Sequence, residues 1–225
     1  AFRICPWQEE LLDGLLGSDL LGFHVQLHCN NFLETVDRLI ESRVDYEQFS
    51  VTRAGHETNV RPFPISIDMA GISHNGHARS DVRAFRKGLG LRDEWAIALG
   101  VDRMDYTKGI PERLRAVDRF LERYPEWHSR FVFLQMGAPS RTEIVEYRAL
   151  NAEVDQLIDC INAKHGVADW QPICMARAHH GVDDIFAGYR AASVCVVSSL
   201  HDGMNLVAKE FVAARDDRQG VLILS

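Results

Sequence analysis

Two stretches of this 225-residue sequence gather charge, glycine and helix-starting residues in a way that suits a phosphorylated ligand. The first reads Val101-Asp102-Arg103-Met104-Asp105-Tyr106-Thr107-Lys108-Gly109-Ile110-Pro111 and follows an apolar run. A turn between Arg103 and Lys108 can aim both cations at one dianionic group, and Gly109-Pro111 opens a helix whose N-terminus also favours anions. That is a metal-free diphosphate site. A plainer reading pairs Arg103 with Asp102 or Asp105 on the surface. The second stretch reads His201-Asp202-Gly203-Met204-Asn205-Leu206-Val207-Ala208-Lys209-Glu210, after another buried run. Gly203 permits close backbone approach, and the amides that follow at a helix start can donate to hydroxyl or phosphate oxygens. Asp202 and Glu210 can then line one mouth and accept hydrogen bonds from sugar hydroxyls. The bland alternative for Glu210 is an ion pair with Lys209 or Arg215 on a solvated face.

These loops need a frame. From Glu94 onward, short apolar runs alternate with longer amphipathic ones: strands at 95–101, 131–136, 172–175, 193–198 and 221–224, with helices at 111–124, 142–164, 182–192 and 205–215. Such alternation predicts a parallel, doubly wound sheet, which gathers ligands at the carboxyl ends of its strands. Pro111 suits a first helical turn, Thr142 with Glu143 starts a helix and Gly166 can end it. Ahead of this lie an apolar run at 19–25, an amphipathic stretch at 30–42, a hairpin through Gly55 and the segment Arg61-Phe63-Pro64-Ile65. Residues 68–80, rich in Gly, His and Asn, read as a linker. The expected organisation is residues 1–80 as the later part of one α/β unit plus linker, and 81–225 as a second. The missing initiator methionine and the final strand at Ser225 suggest sequence beyond both ends.

Composition removes other classes. A formal charge of −7 and interleaved arginines argue against a nucleic-acid partner. No apolar stretch approaches the roughly 20 residues of a membrane span, and residues 1–10 lack the order of a secretion signal. Five cysteines without a CxxC pair suggest a reducing, cytoplasmic setting. His179-His180 is the tightest histidine pair, yet no metal-binding spacing surrounds it and no DxD triplet occurs. No metal ligand and no cofactor are therefore expected. GxGxxG after a strand and GxxxxGK[ST] are absent, against a dehydrogenase or a P-loop enzyme.

The phrases DRMDYTKGIPERL (102–114) and DGMNLVAKEF (202–211) closely resemble signatures of the trehalose-6-phosphate synthase family, glycosyltransferases of the two-Rossmann GT-B type. PWQEELLDGLLGSDLLGFH (6–24), NNFL (30–33), PFPISID (62–68), APSR (138–141) and GVLILS (220–225) support the resemblance. It implies two Rossmann-like doubly wound units with the ligand cleft between them, the first only partly present. The implied reaction moves glucose from UDP-glucose to glucose 6-phosphate with retention, giving trehalose 6-phosphate and UDP.

The resemblance also implies roles. Arg103 and Lys108 would hold the donor diphosphate and Glu210 the ribose hydroxyls. Asp202, with Gly203, Met204, Asn205, Leu206 and Val207, would complete the donor site around the glucose. His24 would face the donor sugar near its reacting carbon, and Arg141 would reach the acceptor phosphate. Expected partners are nucleotide-sugar and sugar-phosphate substrates, with a homo-oligomer left open. Gln26-Leu27-His28-Cys29 and Ala176–His180 match more loosely, which leaves room for a glucosylglycerol-phosphate synthase, a pseudo-glycosyltransferase or a non-catalytic regulatory subunit.

Overall fold

A computed structural model describes residues 2–68, 82–140 and 143–225. The chain divides into two compact units, Ala1–Ser66 and Ile67–Ser225. The division falls ahead of residue 80, where the sequence reading ends the first unit, and the intervening residues 69–81 lie outside the description.

In the first unit, α1 (Gln8–Leu15) precedes β1 (Leu20–Phe23), α2 (Gln26–Leu39), β2 (Arg43–Asp45), β3 (Ser50–Arg53) and β4 (His56–Pro62). The apolar residues Cys29, Phe32, Leu33 and Val36 recur at helical spacing, so α2 forms and buries that stripe. They pack with Leu12 and Leu16 of the α1 segment and with Val51 and Val60 of the sheet. The sheet order is β1-β4-β3-β2, with β1 parallel to β4 and the remaining pairs antiparallel. The expected hairpin turns on Ala54 and Gly55, both at positive φ, which matches the twist of the flanking strands. Strand β2 has no counterpart in the sequence reading, because three residues carry too little alternation to register.

The second unit runs α3 (Val82–Gly88), β5 (Ala96–Arg103), α4 (Ile110–Arg123), β6 (Phe131–Ala138), α5 (Val145–His165), β7 (Ile173–Ala176), α6 (Val182–Ala191), β8 (Val194–Val197), α7 (Leu206–Ala214) and β9 (Val221–Leu224). Its five-stranded sheet has the order β7-β6-β5-β8-β9 and is parallel throughout. Ile97, Leu99, Val132 and Leu134 fill the sheet, covered by Leu114 and Leu121 of α4, Val154 and Ile161 of α5, Phe186 and Tyr189 of α6, and Phe211 of α7. Helix α5 starts at Val145 after Ile144 and without a side-chain cap, so the start expected at Thr142, itself outside the description, moves by a turn. The architecture is α/β. The chain order reverses between β5 and β8, since β6 and β7 build outward on one side and β9 on the other. In open sheets such a reversal leaves a crevice at the carboxyl ends, and the loops after β5 and β8 are the two chemistry-bearing stretches.

Candidate functional site

The loop after β5 is held by short-range bonds before any ligand is considered. Asp105 caps a 3-10 turn, Tyr106–Lys108, by accepting from the Thr107 N–H at 3.0 Å and the Thr107 hydroxyl at 2.9 Å. The Tyr147 hydroxyl donates to its other oxygen at 3.2 Å. Burial pushes this carboxyl up, but the Thr107 and Tyr147 hydrogen bonds and the Arg103 charge outweigh it, and the net pKa is lowered. Gly109 then turns the chain into α4 with φ +62°, and a Cβ there would run into the Ser198 carbonyl oxygen. Only glycine meets both demands. The loop after β8 joins at the same point, where the Thr107 carbonyl accepts from the N–H groups of Leu200 (2.8 Å) and His201 (3.3 Å).

Beneath the two loops lies Arg113, buried in the first turns of α4. Its guanidinium donates to Asp102 at 2.8 Å, Gln135 at 2.9 Å, the Ser198 hydroxyl at 2.9 Å and the Lys108 carbonyl at 3.3 Å. One side chain thus ties β5, β6, the end of β8 and the cationic loop together. Burial raises the Asp102 pKa, while the Arg113 charge and hydrogen bond work to lower it. Asp102 therefore pairs with Arg113 and not with Arg103, which lies 3.7 Å from Asp105 with 60% of its side chain exposed.

Lys108 and Asp202 meet across the loops at 2.6 Å. Asp202 also accepts from the Asn205 amide at 3.1 Å and the Ser199 hydroxyl at 3.3 Å. Burial pushes the Asp202 carboxyl up, but Lys108, Asn205 and Ser199 together bring its pKa below the ordinary value. An ammonium has three donors, so the bond to Asp202 leaves Lys108 capacity for a ligand oxygen. Asn205 caps α7, its side-chain oxygen accepting from the Ala208 N–H at 3.2 Å. The amides of Leu206 and Val207 open the helix and have no intrahelical partner. Asp202, Gly203, Met204 and Asn205 line an open recess of about 880 Å³ with Ser198 and Lys209. The space around Gly203 is open.

Glu210 does not share this recess. It lines a smaller one, about 260 Å³, with Asp102, Arg103, His180, Tyr189 and Val207. Asp202 and Glu210, expected at one mouth, thus line neighbouring recesses, because Asp202 lies in the loop ahead of α7 while Glu210 lies within the helix, where the Tyr189 hydroxyl of α6 donates to it at 2.8 Å. The structure brings Lys108 together with Asp202, and Arg103 together with Glu210.

In the first unit, His24 follows β1, and its Nδ1 accepts from the Ile65 N–H at 3.0 Å. The neutral ring must then carry its proton on Nε2. That nitrogen is buried without a hydrogen-bond partner among the described residues. It is an oriented donor. Arg141, expected at the acceptor phosphate, lies outside the described residues. Arg113, Ser198 and Tyr189 had no place in the sequence reading. A cation in a helix's first turns opposes the macrodipole unless partnered, and that signal alone could have flagged Arg113. Among the described residues no three His, Cys, Asp or Glu side chains come together as a metal site, and no helix is long and apolar enough to cross a membrane.

With this geometry in hand, the comparisons with known proteins are specific. The sequence matches Glycosyltransferase family 20 over residues 1–225. It is 38% identical over 226 residues to the alpha,alpha-trehalose-phosphate synthase [UDP-forming] of Pichia angusta, covering 100% of this chain and 47% of that protein. The solved E. coli structure described as trehalose-6-phosphate bound with UDP-2-fluoro glucose is 30% identical, with a TM-score of 0.86 over 99% of this chain and 49% of that one. The alpha,alpha-trehalose-phosphate synthase (UDP-forming) of Burkholderia xenovorans, solved with glucose-6-phosphate, is 29% identical with a TM-score of 0.85, over 99% and 50%. The chain spans about half the length of the relatives it matches.

Proposed function

Since this chain belongs to glycosyltransferase family 20 along its whole length and has the GT-B type fold of its solved relatives, we propose that the complete protein is a UDP-forming trehalose-phosphate synthase. It moves glucose from UDP-glucose to glucose 6-phosphate with retention at the anomeric carbon. The second unit binds the donor, and the first contributes to the acceptor side. The observation that carries this reading is the pairing of Lys108 with Asp202 across two loops that leave adjacent strands at the order reversal.

The diphosphate leaves as negative charge grows on it. Arg103, Lys108 and the open amides of α7 offer fixed positive potential, in which preorganised donors stabilise a developing anion without reorganising. Charge neutralisation by these groups makes a divalent ion dispensable. Asp202 and the 203–205 backbone hold the glucose hydroxyls, and Glu210 accepts from the ribose. The oriented Nε2–H of His24 donates to the donor sugar, and Arg141 pairs with the acceptor phosphate. The acceptor hydroxyl attacks on the face from which the diphosphate departs, and a phosphate oxygen takes its proton. All five cysteines are free, which supports a cytoplasmic location.

The test uses the full-length protein with UDP-glucose and glucose 6-phosphate, with and without excess chelator. UDP and an α,α-linked disaccharide phosphate should form at equal rates in both. Binding of both sugars without product would make the protein a regulatory subunit. Product that forms only with added magnesium or manganese would overturn the metal-free mechanism.

A further inference from the structure

Tyr189 is 0% exposed, and its ring stands edge-on to Phe186 and Phe211 at centroid distances of 5.6 and 6.2 Å. Phe211 is the residue next to Glu210 on α7, so the ring and the carboxylate are fixed by the same turn of helix. The hydroxyl donates to Glu210 Oε2 at 2.8 Å. Among the described residues no other side chain bonds this carboxylate. Glu210 is half-buried and lines the 260 Å³ recess beside Arg103. A glutamate side chain with nothing to hold it samples several rotamers, and each must be given up when a ligand binds. A buried phenol with one possible acceptor removes that freedom in advance. It occupies one oxygen and leaves Oε1 for a ligand hydroxyl.

We propose that Tyr189 is a positioning residue for sugar-hydroxyl recognition: its hydroxyl holds Glu210 so that Oε1 meets the vicinal diol of the nucleotide's ribose. The inference rests on the reading of Glu210 as the ribose acceptor. Burial, followed by the Glu210 charge, raises the Tyr189 pKa, so the phenol stays a donor across the neutral range.

Removing the hydroxyl alone isolates this role from packing, because Tyr189→Phe keeps the ring that Phe186 and Phe211 enclose. Calorimetric titration of the full chain compares UDP, 2′,3′-dideoxy-UDP and pyrophosphate. For Tyr189→Phe, UDP should weaken by about 5- to 10-fold, the cost of immobilising on binding a glutamate side chain no longer held in advance, while the other two ligands stay within about twofold. A urea midpoint for each variant tracks the fold independently. Equal weakening of all three ligands, or unchanged UDP affinity, overturns the proposal and leaves Tyr189 as a brace between α6 and α7. Glu210→Gln, run alongside, separates the two layers. If it weakens UDP selectively and Tyr189→Phe does not, only the positioning role fails. If Glu210→Gln is itself blind to the ribose hydroxyls, the ribose assignment fails and the role of Tyr189 falls with it.

Discussion

Replacing Arg113 with Met keeps an unbranched apolar stem and deletes the guanidinium that joins Asp102, Gln135, Ser198 and the Lys108 carbonyl. The pair with Asp102 is 1% and 4% exposed, so the variant strands a buried carboxylate. Breaking a buried pair from one side costs about 3–5 kcal/mol, and the orphaned Gln135 and Ser198 groups add to it. Folding stability from urea denaturation should therefore fall by about 3–5 kcal/mol at pH 7. Adding Asp102→Asn should recover about 1–3 kcal/mol of that loss, since residues in one buried network couple by about this amount. The pH dependence has a definite sign. Burial already raises the Asp102 pKa, and removing Arg113 raises it further, so the folded variant holds a proton more tightly than its unfolded chain. Its deficit should be full above that raised pKa and shrink as the pH falls through it. A loss below about 1 kcal/mol, or strict additivity with Asp102→Asn, would refute the claim that this guanidinium organises the strand ends.

Three further outcomes follow from the same geometry. Arg103→Ala with Lys108→Ala should abolish measurable UDP binding in calorimetry, because each charge-assisted contact contributes about 1.5–3 kcal/mol, and unchanged affinity would remove the diphosphate from this loop. Gly109→Ala combines a positive φ with a collision at the Ser198 carbonyl, so a loss of more than about 1–3 kcal/mol in thermal unfolding is expected, with weaker UDP binding; a neutral effect would show that the loop packs differently. Asp202 has a folded pKa below its ordinary 3.8, so its contribution is present above that value and lost as the pH falls through the folded one. The stability difference between the parent and Asp202→Asn should accordingly be flat near neutrality and shrink below about pH 4; a difference that grows on acidification would contradict the Lys108 pairing.

Periodicity made the second unit legible. Its strands are apolar on both faces and its helices amphipathic, so β5 to β9 and the helices between them fall within a few residues of where the sequence places them, and the run at 221–224 coincides with β9. Local backbone chemistry was equally readable. The two-residue turn at Ala54-Gly55, Pro111 in the first turn of α4 and Asn205 before α7 each impose their conformation through neighbours in sequence. The end of α5 is a partial case, since Gly166 closes it in extended backbone and not in the left-handed conformation that glycine permits.

By itself, then, the sequence determined which residues form elements, that two loops carry cations, carboxylates and glycines at strand ends, and which family those phrases resemble. It could not say that the strands bearing those loops are neighbours at the point where the sheet order reverses, because order in a parallel sheet depends on which crossovers pack on which face. Nor could it choose partners among charges. Asp102 and Asp105 both lie within reach of Arg103 in a one-dimensional reading, whereas Asp202 is 94 residues from Lys108. Burial of Arg113 claims Asp102, the 3-10 turn claims Asp105, and only the juxtaposition of the β5 and β8 loops gives Asp202 to Lys108. Tyr189 and Glu210 are 21 residues apart and meet because α6 and α7 pack side by side. Such pairings follow from the exclusion of water around buried polar groups, which forces each to find a partner wherever the fold has brought one.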